Sequence, residues 1–230
     1  MIKIEDVDVF GFRKAIKGMR NAMNSWDKSD SYFQLQCSQY AGCEETEYCN
    51  HIGEKDMELA KRLIKAGSSD RKFMRMIHVQ ADVTAPLYWW KEYDTYKVGT
   101  TANSCSTMHK ITDKEFTLDD FSHEHLAERS IGFLQDYIDE INRNRSLYVN
   151  GFKGVPGDNA YDVEPYHKIY WHQIIQLLPS SYNQMRTIDL SYETLAKIYR
   201  ERKNHKLDEW HTFCDWILTL PYMKEFLNIN

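Results

Sequence analysis

The chain has 230 residues, of which 42% are hydrophobic and 27% charged, and its formal net charge is -5. That balance belongs to a folded chain rather than a disordered one, and the negative sum argues against a protein that coats a nucleic-acid polymer. Five Pro and ten Gly exclude a collagen-like or low-complexity chain, and no apolar run is long enough to span a membrane. MIKIEDVDVF lacks a basic flank followed by an apolar stretch, so no export signal is expected. Five cysteines, an odd number, are then read as free thiols in a reducing, cytoplasmic compartment.

Residues 3–10 alternate apolar and polar side chains, which predicts a short strand ended by Gly11. From Phe12 to Met23 the spacing becomes helical, with Ile16, Met19 and Met23 on one face. Residues 25–54 are polar and rich in turn formers, and they read as an insertion at about 25–55. Within it Cys37, Cys43 and Cys49 recur every sixth residue, with His51 following. Zinc ligands pair at closer spacing, so no metal is expected there.

A helix is predicted over 57–66 with Gly67 as its C-cap. The clearest strand runs from Phe73 to Val83, where Phe73, Ile77, Val79, Ala81 and Val83 alternate with polar or Met side chains. Thr84 to Pro86 opens an aromatic helix carrying Leu87, Trp89, Trp90 and Tyr93 and fading near Lys97. VGTTANSCSTMHK, residues 98–110, reads as a hydroxylated loop. A long helix is expected over about 118–148 behind a Thr117 cap, and GVPGDNAYDVEP as a loop. Three more helices follow: 166–178, 192–204 capped by Ser191, and 207–220. The predicted fold class is mixed α/β (α+β), mostly helix with a small mixed β-sheet, in one domain over 1–230.

Three segments carry candidate chemistry. Lys97, Thr100, Thr101, Asn103, Ser104 and Ser106 crowd hydrogen-bond donors into a stretch of small side chains, which suits an anion such as phosphate. Arg200 and Arg202, with Lys203 and His205, close a helix with basic groups. Such a cluster either interacts with the helix dipole from solvent or presents a guanidinium fork to a phosphate or a pyrimidine carbonyl. His123-Glu124-His125 lacks the i, i+4 spacing of a zinc helix, and no P-loop, GxSxG or GxGxxG sequence is present.

The order of these pieces resembles the flavin-dependent thymidylate synthase (ThyX) family, over roughly residues 57–110 and 166–217. Val83-Thr84-Ala85-Pro86, the aromatic helix and the Ser106-bearing loop look like that family's N-terminal half. Leu177-Leu178-Pro179, Leu195, Arg202, His205 and Glu209-Trp210 look like its nucleotide-binding helix. The family's Arg-His-Arg triplet is here Thr95-Tyr96-Lys97, its second loop arginine is Met108, and Ser191 and Glu193 stand where it places Asn and Arg.

The resemblance implies a ThyX-like fold, a homotetramer with sites between subunits, and one-carbon transfer to C5 of a pyrimidine deoxynucleotide such as dUMP. FAD would be the cofactor, with methylenetetrahydrofolate and NADPH as co-substrates, and no membrane or nucleic-acid polymer as partner. It casts Arg202 as the catalytic group polarising the ring, and Glu92, Ser104, Ser106 and Arg202 as substrate-binding. Tyr96, Lys97, Asn103 and His205 fall in the cofactor-binding positions, and no metal is implied. The lost arginines also admit a second reading: a non-catalytic protein of the same fold, binding a nucleotide or a partner protein without FAD.

Overall fold

The structure is a computed structural model that describes residues 2–33, 50–150 and 163–229. Cys37, Cys43, Cys49 and most of the GVPGDNAYDVEP stretch lie outside the described residues. A four-stranded sheet has the order β1-β4-β6-β5, formed by Lys3–Phe10 (β1), His78–Pro86 (β4), Thr100–Ser104 (β5) and Asn183–Ser191 (β6). Tyr32–Phe33 (β2) and Asn50–His51 (β3) make a separate antiparallel pair. The chain divides into two compact units, one of residues 1–4, 83–95 and 103–187, the other of residues 5–82, 96–102 and 188–230.

In the second unit, helix α1 (Phe12–Met19) buries Phe12, Ala15, Ile16 and Met19, the i, i+3, i+4, i+7 set of an amphipathic helix. Gly11 precedes it at φ 100°, and a Cβ there would lie 2.0 Å from the Met76 carbonyl oxygen, so only glycine fits. The expected extension to Met23 is instead a separate 3₁₀ turn, Asn21–Met23. Arg20, at the α1 terminus, donates from Nε to Asp56 Oδ1 at 2.6 Å, and both side chains are buried. Ser29 and Ser31 donate to the other Asp56 oxygen, so this buried carboxylate is fully hydrogen-bonded.

Asp56 belongs to helix α2 (Glu54–Ala66). Its opening N–H groups, from Lys55 and Asp56, donate to Asp30, which holds the Asp30 carboxyl below its usual pKa.

The strand expected from Phe73 begins later. Arg71–Met76 forms a 3₁₀ turn, and Phe73 and Met74 are both buried beneath it. Alternation holds only from Ile77 onward, because a turn that buries two adjacent side chains cannot keep the period of two. Helices α7 (Tyr192–Arg202), α8 (Asp208–Ile217) and α9 (Met223–Leu227) complete this unit, α7 packing on α8, on α9 and on the 3₁₀ turn. Its core is aromatic: Phe12 meets Tyr192 edge-on at 5.4 Å between centroids, and Phe73 meets Phe226 at 5.7 Å.

In the first unit, β4 extends through Thr84, Ala85 and Pro86, so the predicted helix start moves to Leu87. Helix α3 (Leu87–Tyr93) ends four residues earlier than Lys97. Trp89, Trp90 and Tyr93 are fully buried, with Trp90 Nε1 donating to the Gln184 carbonyl at 2.8 Å. The expected loop 98–110 contains β5 and a single helical turn, α4 (Thr107–Lys110). The predicted helix 118–148 is a 3₁₀ turn, Leu118–Asp120, followed by α5 (Glu128–Asn150). Asp120 reaches back to accept from the Thr117 N–H and closes that first turn. Helix α5 packs on α6 (Val163–Leu177), and Ile138, Ile141 and Ile174 join Ile111, Phe116 and Phe121 in one cluster. Each such burial contributes about 1.5–3 kcal/mol.

Candidate functional site

Helix α7 carries the leading candidate. Ser191 caps it, accepting from the Thr194 N–H, as its position before the apolar stripe predicts. Leu195, Ala196 and Ile198 are buried, which fixes the rotation of the helix and brings its last turn against Tyr96 and Trp210.

Arg202 Nε donates to the Tyr96 hydroxyl at 2.9 Å. Its guanidinium lies 4.9 Å from the Trp210 ring centroid and 5.6 Å from that of Tyr96. The faces of Trp210 and Tyr96 and the bond to the Tyr96 hydroxyl orient the fork, so Arg202 is a half-buried, oriented cation and not a solvated side chain. The Tyr96 hydroxyl in turn donates to Glu201 Oε2 at 3.0 Å. Burial pushes the Tyr96 pKa above its ordinary value, which keeps it protonated and able to donate.

His205 adjoins this group. Its ring meets Trp210 edge-on at 6.2 Å, and Nδ1 accepts from the Leu207 N–H at 3.1 Å. Lys97 is exposed. Behind it, Gly99 at φ 75° packs against Thr194 Oγ1, while Thr194 donates to the Val98 carbonyl. Tyr96, Arg202 and His205 are thus drawn together around Trp210, with Lys97 next to Tyr96 in the chain.

The other four predicted residues belong to the first unit. Glu92 is half-buried on α3, and Asn103 and Ser104 are exposed at the end of β5. Ser106 caps α4, its Oγ accepting from the Met108 and His109 N–H groups at 3.2 and 3.3 Å. Both bonds use the oxygen as acceptor, which leaves the hydroxyl hydrogen to donate.

Sequence reasoning passed over Arg186. It is 16% exposed, sits 4.3 Å over the Trp90 ring, pairs with Asp94 at 2.8 Å and donates to Gln184 Oε1. It was missed because β6 was missed: only Ile188 and Leu190 alternate cleanly there. Also unforeseen is His78, whose Nδ1 lies 2.8 Å from Asp189 on the neighbouring strand. Among the described residues no cluster of His, Cys, Asp or Glu has the arrangement of a metal site.

The fold is that of a small sheet flanked by a helical majority, the class to which the flavin-dependent thymidylate synthases belong. Two crystal structures of ThyX from Helicobacter pylori, both with FAD and dUMP, superpose on the chain with TM-score 0.63. They are 13% identical to it, cover 99% and 98% of this chain, and are themselves covered over 97% of their length. By sequence, no protein-family profile matches the chain and no curated protein is similar to it. The likeness establishes a ThyX-like fold.

Proposed function

We propose that this chain binds a pyrimidine deoxynucleotide of the dUMP type and that Arg202 is the group that meets the pyrimidine ring. The observation that carries the reading is the end-to-end match to a fold seen with dUMP, joined to an Arg202 held rigid by Tyr96 and Trp210. A fixed guanidinium fork stabilises negative charge on a ring carbonyl better than a mobile ammonium, because it offers two parallel donors without reorganising. Lys97, of the same unit as Arg202, supplies a donor for the phosphate; Ser104 and Ser106, of the other unit, are proposed as phosphate donors on their own account. The protein assembles as a homotetramer, with sites completed between copies; light scattering then reads about 109 kDa for four 27.3 kDa chains, and a monomer contradicts it.

Within one chain, two of the four residues in the flavin positions have polar atoms already committed to other partners. Tyr96 is buried with its hydroxyl committed to Arg202 and Glu201, and His205 Nδ1 is committed to its own turn. Only Lys97 and Asn103 face solvent. The proposed function is therefore nucleotide binding without tightly held flavin. A second reading, flavin-dependent one-carbon transfer to C5 with methylenetetrahydrofolate and NADPH, is favoured by the FAD in the matching structures. The visible spectrum separates them. Colourless protein that shows no flavin binding on titration supports the first reading, and a bound flavin spectrum supports the second.

A further inference from the structure

Helix α5 has two unlike faces. Ile138 and Ile141 are buried in the cluster shared with α6, and Leu134 packs against it. The opposite face carries Arg129, Gly132, Phe133 and Asp136, an i, i+3, i+4, i+7 set, and all four are exposed. Phe133 is 61% exposed, and the Arg129 guanidinium lies 5.6 Å from its ring centroid. Among the described residues neither Arg129 nor Asp136 makes an ion pair. A Cβ built on Gly132 meets nothing within 4 Å, so no neighbour in this chain requires a glycine there. Glycine is a poor helix former, and its use inside a helix is to let another group approach closely.

An aromatic ring held out in water, beside a notch and between two opposite charges without partners, is complementary to itself. Let two copies of α5 pack antiparallel about a two-fold axis that passes between Gly132 and Phe133. Each Phe133 then lies over the partner's Gly132, and each Arg129 faces the partner's Asp136. Parallel packing sets Arg129 against the partner's Arg129 and Asp136 against the partner's Asp136, and like charges facing each other across a contact are unfavourable. The charges therefore select both the occupant and its direction. We propose that this face of α5 is a contact between copies of the chain, with a second α5 packed antiparallel on the first. The inference deepens the assembly proposed above and rests on it: a tetramer closed by two-fold axes needs more than one self-complementary contact, and this is one of them.

The test is sedimentation velocity of the full-length protein at micromolar concentration, for wild type, Arg129→Glu, Asp136→Lys, these two combined, and Gly132→Leu. Wild type sediments as the oligomer. Each single charge reversal sets like charges across the axis and halves the mass, and the combined variant restores it because both pairs re-form with their signs exchanged. Gly132→Leu fills the notch that receives Phe133 and halves the mass as well, although leucine is the better helix former. A wild type that sediments as a monomer overturns this contact together with the homotetramer. A wild-type oligomer whose mass none of the variants changes overturns the contact alone and leaves the homotetramer standing. A combined variant that stays dissociated overturns the self-pairing and assigns the face to some other surface. Circular dichroism of each variant separates loss of the contact from loss of the fold.

Discussion

Replacing Tyr96 by Phe deletes one oxygen and leaves both ring stacks in place. That oxygen accepts from Arg202 at 2.9 Å and donates to Glu201 at 3.0 Å. Tyr96 is only 7% exposed, so water does not readily replace the lost hydroxyl on the arginine side. A hydrogen bond to a charged partner contributes about 1.5–3 kcal/mol. Glu201 is 48% exposed and regains water, so its bond adds little. The expected loss is therefore about 1.5–2 kcal/mol in urea unfolding, or roughly 3–8 °C in melting temperature for a chain of this size. The same change frees the Arg202 fork to rotate, and affinity for dUMP falls with it. A stability change below about 0.5 kcal/mol together with unchanged dUMP affinity refutes the view that Tyr96 positions Arg202.

Gly99→Ala places a Cβ 2.6 Å from Thr194 Oγ1 at a backbone φ of 75°, and costs about 1–3 kcal/mol by chemical denaturation. Ser106→Ala and Lys97→Ala each weaken dUMP binding by roughly tenfold, while circular dichroism stays native; unchanged affinity in both removes the phosphate assignment. Arg143 holds the half-buried Glu140 carboxyl down to about 2. A depressed folded-state value stabilises above the unfolded pKa and is lost as pH falls toward the folded one. Acid unfolding of Glu140→Gln should therefore depend less on pH between about 4.5 and about 2 than that of wild type.

Much of the fold is legible in the chain. Alternation over 3–10 and 77–83, the apolar stripe of α1 and the Ser191 cap each impose one local structure, and the structure adopts it. What was hidden depends on tertiary contacts. β5 is built from small polar residues with no apolar alternation, so its strand state comes from pairing with β6. β6 itself is broken by Arg186 and Asp189, whose partners Asp94 and His78 lie about a hundred residues away. The candidate site shows the same division. A basic helix end was visible from Arg200 to His205, but the plane of Arg202 is set by Tyr96 and Trp210 from other elements.

The most direct test is titration of dUMP into wild type, Arg202→Ala, Arg202→Lys and Arg200→Ala. Wild type binds, Arg202→Ala weakens binding by about tenfold to a hundredfold, and Arg202→Lys recovers only part, since one ammonium lacks the parallel donors. Arg200→Ala binds dUMP as wild type does. No dUMP binding by wild type, or indistinguishable affinities for Arg202→Ala and Arg200→Ala, contradicts the assignment of Arg202 to the pyrimidine ring.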